Sequence, residues 1–507
     1  MTGYPSWKFR QASWTAGFFW LLACIAAGTS APADVAVRHE YEEDYELQRL
    51  LVDTIDQIER NYVTDLSRRE LIEAAIQGII EKLDPYSNYI PPGEIDRFRT
   101  AVESEFGGIG IQITMENGQL RVLSPLVGTP AYRAGLLAGD RITHINGESA
   151  EGLALDQAVE RLKGPPGTSI TLTVVHAGQR EPQEYTIERE VVHVETVLGD
   201  RRRDDDSWDY FLDREAGIGY VRLSAFSRDT PRELRAALAG LKREGLQGLI
   251  LDLRFNPGGL LSAAIEVTDL FLREGAIVST NGRNVQERSW EATASGTLDD
   301  FPLVVLVNRF SASASEIVAA ALQDHGRAAV VGERTWGKGS VQNVIEMEEG
   351  RSALKLTTAS YRRPSGENIH RFPGDGEDRP WGVVPDEGLA LRLSERELVT
   401  LVRQRRERDV VRPPPALAEE VDGAEPSAEP RESDPAEDDH DPREGDAPGD
   451  PVPDALEEDA STAADLPRAE EDPPETADDA DAAELPIVEI DAQLRLARDH
   501  LVERLAE

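Results

Sequence analysis

Short apolar segments alternate with amphipathic helical segments between residues 215 and 400, and this alternation constrains the fold more than any other feature. The segments 217–223, 248–252, 303–307 and 328–332 are short, apolar and rich in branched residues, as buried strands are. Strands that alternate with helices form layered α/β cores. The helices predicted between these strands run from 230 to 244, from the turn after 252 to Leu272, and from 313 to 322, and a hairpin is predicted over 341–361 around Glu348-Glu349-Gly350.

The region 34–96 is predicted to be helical. Apolar residues recur at helical spacing on two stripes, and Asp84-Pro85 ends the second. Such a helical pair could pack on the body of the protein or on a second subunit. The stripes consist of Leu47, Leu50, Leu51, Ile55 and Ile58, and of Leu71, Ile72, Ala75, Ile76, Ile79, Ile80 and Leu83.

Residues 411–485 carry 27 acidic and 4 basic residues, 13 prolines and no aromatic residue. A segment of this composition buries too little apolar surface to offset the entropy of ordering, so we predict a disordered linker. Cation binding or docking of a basic partner are alternative roles. Residues 486–507 are predicted to form a helix, because Leu494, Ala497, Leu501 and Leu505 recur at helical spacing. This helix either docks on the body or is free and marginal.

Residues 1–33 have the pattern of an export signal. Lys8 and Arg10 precede an apolar run over 14–27, and Ala31-Pro32-Ala33 is a small-residue cleavage site. Cys24, the single cysteine, ends a lipobox-like segment, so lipidation is an alternative to cleavage, and an uncleaved anchor is a third. Each of these places the body of the protein outside the cytoplasm, and we expect a periplasmic location.

Short strands with glycine-rich turns are predicted between residues 97 and 185. The segment Phe106-Gly107-Gly108-Ile109-Gly110-Ile111 leads into a strand, followed by 130–136, 139–147, a helix over 155–163 and a strand over 169–175. In this order of segments, residues 97–185 resemble a PDZ domain. In such domains a glycine-rich loop binds a terminal carboxylate and the next strand edge accepts a peptide. The resemblance therefore implies that residues 106–111 bind peptide.

Several classes of protein are excluded or disfavoured by what the sequence lacks. A single cysteine excludes an intramolecular disulfide framework and a Cys-rich metal site. The sequence has no basic patch dense enough to indicate a nucleic-acid-binding protein. No HExxH, GxSxG or phosphate-loop motif is present. His325 and His370, in the loops of the core, are predicted to be structural, which disfavours a Ser-His-Asp triad.

Three loops of the region 186–410 could carry chemistry. In 311–317 (Ser-Ala-Ser-Ala-Ser-Glu-Ile), serines stand where a helix begins, with free N–H groups beside them, although serines more often cap helices. The loop 254–259 follows a buried strand. Its paired glycines allow the backbone to approach a reacting carbonyl closely. The loop 335–342 holds Lys338 between glycines, and a buried, neutral lysine can act as a base.

Residues 40–400 resemble the bacterial carboxy-terminal processing peptidases, also called tail-specific proteases, in the order helical region, PDZ domain and serine-protease core. Ser-Ala-Ser-Ala-Ser-Glu-Ile followed by a lysine in Gly-Lys-Gly-Ser-Val-Gln carries this resemblance. It implies an α+β multidomain protein with an α/β layered core of the crotonase/Clp-protease-like kind. The resemblance implies that Ser313 is the nucleophile, Lys338 the general base and Gln342 the residue that orients this lysine. The oxyanion donors would be the N–H groups of Ala314 and of Gly258 or Gly259. Supporting roles are implied for Arg254, Glu316, Asp324 and Thr335.

The family implies a serine endopeptidase that recognises C-terminal tails of exported or envelope proteins through its PDZ domain. It requires no metal and no organic cofactor. An adaptor protein and a homo-oligomer formed through the terminal helices are further expectations. Tyr86 departs from the family, which often has histidine at that position. A PDZ module on an inactive core and a hydratase-like enzyme are the rival interpretations.

Overall fold

The computed structural model describes residues 33–95, 98, 105–372, 375, 376, 379–411 and 487–507. The predicted export signal and the predicted acidic linker lie outside these residues, apart from Ala33 and Val411. The chain divides into two compact units, residues 1–79 and 80–507.

The helices and strands of the described residues are numbered here in chain order. The helices are α1 (Ala33–Asn61), α2 (Arg68–Ile80), α3 (Pro130–Ala134), α4 (Leu155–Leu162), α5 (Thr230–Arg243), α6 (Leu261–Asp269), α7 (Ala314–Asp324), α8 (Glu395–Asp409), α9 (Ile487–Ile490) and α10 (Ala492–Ala506). The strands are β1 (Asn88–Ile90), β2 (Glu105–Gly108), β3 (Ile111–Glu116), β4 (Gln119–Pro125), β5 (Arg141–Ile145), β6 (Glu148–Ser149), β7 (Ser169–Val175), β8 (Gln183–Glu188), β9 (Glu190–His193), β10 (Val197–Leu198), β11 (Arg201–Arg202), β12 (Trp208–Asp209), β13 (Phe211–Asp213), β14 (Ile218–Leu223), β15 (Gly248–Asp252), β16 (Ala276–Gly282), β17 (Val285–Glu291), β18 (Leu303–Val307), β19 (Ala328–Gly332), β20 (Ser340–Met347) and β21 (Ser352–Arg362).

The first unit consists of helix α1 and most of helix α2. Arg68 ties the start of α2 back to α1 through ion pairs with Asp56 and Glu59. Of the predicted apolar stripe on α1, Ile55 is buried, whereas Leu47 and Leu50 are each more than 60% exposed. The two helices form as expected, and most of their apolar surface stays uncovered.

The layered core contains a sheet in the order β10-β14-β15-β18-β19, with β13 paired to β14. Strands β14, β15, β18 and β19 are parallel, and every residue of β14, β15 and β18 is buried. Helices α5, α6 and α7 pack on one face of this sheet and contribute to its apolar cluster. The predicted alternation of strands and helices is thus confirmed. The helix predicted to reach Leu272 ends at Asp269, because the chain turns there with Phe271 N donating to Thr268 O.

A second sheet has the order β1-β21-β16-β17, with β20 beside β21. Strands β20 and β21 form the predicted hairpin, and the turn falls at Glu348–Gly350. Strand β20 begins two residues after Lys338. The hairpin therefore carries the loop that holds the candidate base.

The PDZ-like region is a sheet in the order β3-β4-β5-β7-β8 with helices α3 and α4. Its own apolar cluster includes Ile109, Leu120, Leu136 and Leu172. The ribbon of β2 and β9 joins its two ends. The strand and helix predicted at 169–175 and 155–163 match β7 and α4.

The C-terminal helix α10 docks on the face of the parallel sheet opposite α5, α6 and α7. Leu494, Ala497 and Leu501 are fully buried there, with α8 alongside. Leu501 lies so close to Gly248 that a Cβ added at Gly248 would come within 3.0 Å of it. The docking-helix interpretation is confirmed, and the alternative of a free helix is wrong.

Candidate active site

Ser313 lies at the junction between strand β18 and helix α7, in a backbone conformation that L-residues rarely adopt. Its φ is 56° and its ψ is −112°, outside the regions that most L-residues occupy. It directly precedes Ala314, the first residue of α7. Its hydroxyl makes no capping hydrogen bond to the helix. Strain of this kind persists only where neighbouring structure imposes it, and it often marks functional residues.

The other two serines of this loop are committed to the backbone. Ser311 Oγ donates to Leu253 O (2.8 Å) and accepts from Asn308 N (2.9 Å). Ser315 Oγ donates to Asn256 O (3.0 Å). Both side chains are fully buried, whereas Ser313 is partly accessible. Ser313 is therefore the one serine of the three whose hydroxyl is available for chemistry.

The Glu316 carboxylate joins the serine loop to the lysine loop. Its Oε2 accepts from the backbone N of Ser313 (2.8 Å) and of Lys338 (2.8 Å). Its Oε1 accepts from Gly337 N (2.7 Å) and Thr335 Oγ1 (2.5 Å). Burial raises the pKa of Glu316 to about 7, and these four hydrogen bonds act in the opposite direction. One buried side chain thus holds the two candidate catalytic residues side by side.

Lys338 sits in surroundings that favour its neutral form. Its Nζ lies 5.0 Å from the centre of the Tyr86 ring. Burial, together with the positive charge of Lys355, lowers the pKa of Lys338 to about 8, although Glu316 and Asp84 oppose the shift. A lysine with this pKa is partly neutral near neutral pH, as a general base requires.

Gln342 lies on β20, four residues after Lys338. Its Nε2 donates to Ser340 Oγ (2.8 Å) and to Thr357 Oγ1 (3.3 Å), across the β20–β21 hairpin. The hydrogen bonds of the described residues include none between Gln342 and Lys338. The lysine-orienting role of Gln342 therefore stays a prediction.

The glycine loop 256–259 packs directly against the serine loop. A Cβ added at Gly258 would come within 2.8 Å of Ser313 Cβ and 3.0 Å of Ala314 N. Gly258 N donates to Asn256 Oδ1 (2.8 Å), whereas the N–H groups of Gly259 and Ala314 have no acceptor among the described residues. Of the two glycines left open by the sequence, the hydrogen bonding favours Gly259 as the donor that pairs with Ala314.

The four residues predicted as supports hold loops together. Thr335 Oγ1 donates to Glu316 and accepts from Val383 N (2.8 Å). Asp324 accepts from Arg363 Nε (2.9 Å). Arg254 is buried and paired with Asp252 and with Asp491, the residue that caps helix α10.

Sequence reasoning missed Asn256 as a functional residue and assigned no role to Tyr86. Asn256 Nδ2 donates to Leu223 O (2.8 Å), and its backbone O accepts from Ala312 N (3.1 Å) and Ser315 Oγ, so it joins the strand, glycine and serine loops. Its place just before Pro257-Gly258 was the available signal. Tyr86 covers Lys338 from a turn far away in sequence, and no local pattern indicates that contact.

In the PDZ-like region, residues 106–111 span β2, a turn and the start of β3. The carbonyls of Gly107, Ile109 and Gly110 accept from Gly164 N, Ala131 N and Leu126 N. These bonds fix the loop inside the domain. Strand β3 is at the edge of its sheet, with α4 beside it, which is the arrangement that adds a peptide as an extra strand.

The two core histidines contact a backbone carbonyl and an aromatic ring, and their structural roles stay a prediction. His325 Nε2 lies 2.7 Å from Ala276 O, and His370 packs edge-on against Phe372. Within the described ranges, no three His, Cys, Asp or Glu side chains gather as metal ligands do. No helix of the described part of the chain is long and apolar enough to cross a membrane.

Comparison with known proteins places this geometry in a family. The model of peptidase family S41 matches residues 217–387, which contain Ser313, Lys338 and the glycine loop. A carboxy-terminal-processing protease of Bartonella bacilliformis is 38% identical over 408 residues, covering 77% of this chain and 89% of that protein. The chain belongs to peptidase family S41. It is a serine-type peptidase with the architecture of the carboxy-terminal processing proteases.

Other parts of the chain are also similar to known proteins. A PDZ domain model matches residues 121–175, and a model of the N-terminal domain of the activating protease CtpB matches residues 15–92. A carboxyl-terminal-processing protease of Synechocystis is 38% identical over 325 residues, covering 64% of this chain and 72% of that protein. Among solved structures, a photosystem II D1 C-terminal processing protease is 27% identical, covering 73% of this chain and 99% of that chain, with a TM-score of 0.39.

Proposed function

We propose that this S41 peptidase cleaves exported or envelope proteins near their C-terminal tails, with Ser313 as nucleophile and neutral Lys338 as general base. The observation that carries the proposal is the Glu316 carboxylate, which bonds the backbone of both residues at 2.8 Å and so fixes the two loops together. The free hydroxyl of Ser313 and the lowered pKa of Lys338 support it.

The proposed reaction is acyl transfer to Ser313 followed by hydrolysis. Lys338 Nζ takes the Ser313 Oγ proton as Oγ bonds to the scissile carbonyl carbon. The N–H groups of Gly259 and Ala314 stabilise the oxyanion, and each such donor contributes about 3–4 kcal/mol. As the tetrahedral intermediate collapses, the C–N bond breaks and Lys338 returns the proton to the leaving amine. Water then attacks the acyl carbon and gives its proton to Lys338. The bond between the acyl carbon and Ser313 Oγ breaks, and Lys338 returns the proton to Oγ, which restores both residues.

Recognition of the tail is assigned to the PDZ domain. The edge of β3 and the loop 106–111 would hold the last residues of the substrate, with its terminal carboxylate at the glycines.

We therefore expect a peptide with a free C-terminus to have a KM about tenfold lower than that of the same peptide with an amidated C-terminus. Amidation removes the negative charge and with it the charge-assisted hydrogen bonds to the carboxylate. Peptide cleavage measured by mass spectrometry tests this, with Ser313→Ala as the inactive control. Equal KM values for both peptides would contradict PDZ-mediated tail capture.

The rate of cleavage is expected to rise with pH. Lys338 is protonated below its pKa of about 8, and only the neutral amine accepts the Ser313 proton. At pH 6 about 1% of Lys338 is neutral, so kcat/KM is expected to be about 100-fold below its alkaline plateau. Protonation of Glu316, with its pKa of about 7, steepens the acid limb. A kcat/KM profile from pH 6 to about 9.5 measures this, and a profile that is flat or falls with pH would contradict the lysine base.

We also propose that the chain forms a homo-oligomer through its terminal helices. The exposed Leu47, Leu50 and Leu51 of α1 lie on an amphipathic helix, and burial of each would contribute about 1.5–3 kcal/mol. The double substitution Leu47→Glu and Leu51→Glu is expected to yield monomers in light-scattering measurements, whereas Arg49→Glu, an exposed change on the same helix, leaves the oligomer intact. A monomeric parent chain would contradict this proposal.

We further propose that an adaptor protein binds this chain. Co-purification with the Ser313→Ala chain is the experiment that tests this.

A further inference from the structure

A groove of about 790 Å³ runs beside the loop that carries the candidate base. Thr335 and Trp336 of that loop line it, and so does Tyr86, whose ring faces Lys338. Val384 and Leu391 contribute apolar surface to its lining. A polypeptide that reaches Ser313 and Lys338 could therefore extend along this groove.

The groove is rich in arginine. Arg309, Arg334, Arg371 and Arg392 all line it, and Glu333 is the one acidic residue among the described lining residues. The carboxylate of Glu333 is paired with Arg309 (2.8 Å). The positive charge of the groove thus exceeds its negative charge, although the whole chain has a net charge of −41.

Two of these arginines have no carboxylate partner among the described residues. Arg371 and Arg392 are exposed and take part in no ion pair there. Asp375, four residues after Arg371, pairs instead with Arg379 (3.2 Å) and accepts from Phe372 N (2.9 Å). Arg371 and Arg392 therefore keep their charges available for a ligand.

The Arg371 guanidinium is held in place although it is exposed. It lies 4.5 Å from the ring of Trp381, and the guanidinium of Arg334 lies 4.6 Å from the same ring. Trp381 is itself buried, and its Nε1 donates to Gly376 O. A guanidinium stacked on an aromatic ring still presents its N–H groups edge-on, as bidentate binding of a carboxylate requires.

We propose that this groove is a specificity subsite that binds an acidic stretch of the protein substrate next to the catalytic loops, through Arg371 and Arg392. The inference rests on the proposed function, since it names the class of substrate that the same site selects. Charge complementarity and the shared Tyr86 support it. Glu and Asp side chains on the substrate would pair with the two arginines while apolar neighbours contact Val384 and Leu391.

The test measures binding to the full chain carrying Ser313→Ala, so that no peptide is consumed. Two fluorescent peptides share a length and a C-terminal tail, and one carries four Glu or Asp residues upstream where the other carries Gln or Asn. The acidic peptide is expected to bind about five- to tenfold more tightly, as two charge-assisted pairs predict. This preference is expected to shrink as salt is raised to about 0.3 M.

The paired substitution Arg371→Gln and Arg392→Gln is expected to remove the preference and to leave the affinity for the neutral peptide unchanged. Arg235→Gln, an exposed arginine on α5 outside the groove, is the control and is expected to retain the preference. Equal binding of the two peptides, or a preference that survives the paired substitution, overturns the proposal. Cleavage by the chain with Ser313 intact tests the proposed function separately, because the binding results do not depend on it.

The chain's own acidic segment is the competing occupant, since the residues before Ile487 include eight acids between 470 and 484. Gln493 of α10 donates to the backbone O of Leu391, which lines the groove, so the described residues that follow this acidic segment lie beside the groove. A second Ser313→Ala chain with these eight acids replaced by their amides therefore belongs in the test. If the chain with the eight amide replacements prefers the acidic peptide and the chain that keeps its acids does not, the occupant is the chain's own segment. That result would overturn the substrate proposal.

Discussion

Replacing Ser313 with alanine is expected to lower kcat for tail cleavage by about 10⁴-fold or more, because the nucleophile is lost while the fold is unaffected. Lys338→Met is expected to have an effect of similar size, since it keeps the length of the side chain and removes the amine. Cleavage of a tail peptide, followed by mass spectrometry of the new C-termini, measures both.

Ser311→Ala and Ser315→Ala are matched controls within the same loop. Their hydroxyls bond to Leu253 O and Asn256 O and face no substrate, so each change is expected to cost about 1–3 kcal/mol of stability and to leave kcat within tenfold. If Ser313→Ala cleaved as fast as these controls, the nucleophile assignment would be wrong. Binding of tail peptides without any cleavage by the parent chain would favour a PDZ module on an inactive core.

Asp491→Ala is expected to lower the free energy of unfolding of the peptidase core by about 3–5 kcal/mol, because it leaves Arg254 buried without one of its two carboxylates. Asp491 accepts two hydrogen bonds from Arg254 (2.9 and 2.7 Å), and its Oδ1 also accepts from Leu494 N (3.0 Å) at the start of α10. Urea unfolding followed by tryptophan fluorescence measures the loss.

Activity is expected to fall as well, since Arg254 begins the loop that ends at Gly258 and Gly259. Glu489→Ala, an exposed change two residues away, is the control and is expected to cost less than about 0.5 kcal/mol. A loss below about 1 kcal/mol for Asp491→Ala would show that α10 docks by its apolar face alone.

The strands and helices of the core could be predicted from the sequence because each is encoded locally. Strand β18 (Leu-Val-Val-Leu-Val) is apolar at every position, as a strand covered on both faces must be. Pro231 lies in the first turn of α5, where its missing N–H is tolerated. The end of α6 was misplaced by three residues, since that boundary depends on how Leu270 and Phe271 pack and not on their helix propensity.

The candidate site was only partly predictable. The motif around Ser313 and Lys338 indicated the chemistry, but a row of three serines at a helix start has three possible nucleophiles. The hydrogen bonds of Ser311 and Ser315 to distant carbonyls leave Ser313 available. In the same way, the bond from Gly258 N to Asn256 distinguishes between two adjacent glycines that the sequence treats alike.

The amino-acid sequence alone was sufficient for the class of fold, the PDZ region and the peptidase core, because hydrophobic periodicity and short motifs involve residues that are close together in the chain. The roles of Ser313 and Lys338 as nucleophile and base stay predictions that the motif suggests. Only the tertiary structure decided the docking of α10, the contact of Tyr86 with Lys338 and the arginine groove. Each of these joins residues far apart in the chain: Arg254 and Asp491 are 237 positions apart. Contacts of that kind depend on how whole layers pack, and no local pattern encodes them.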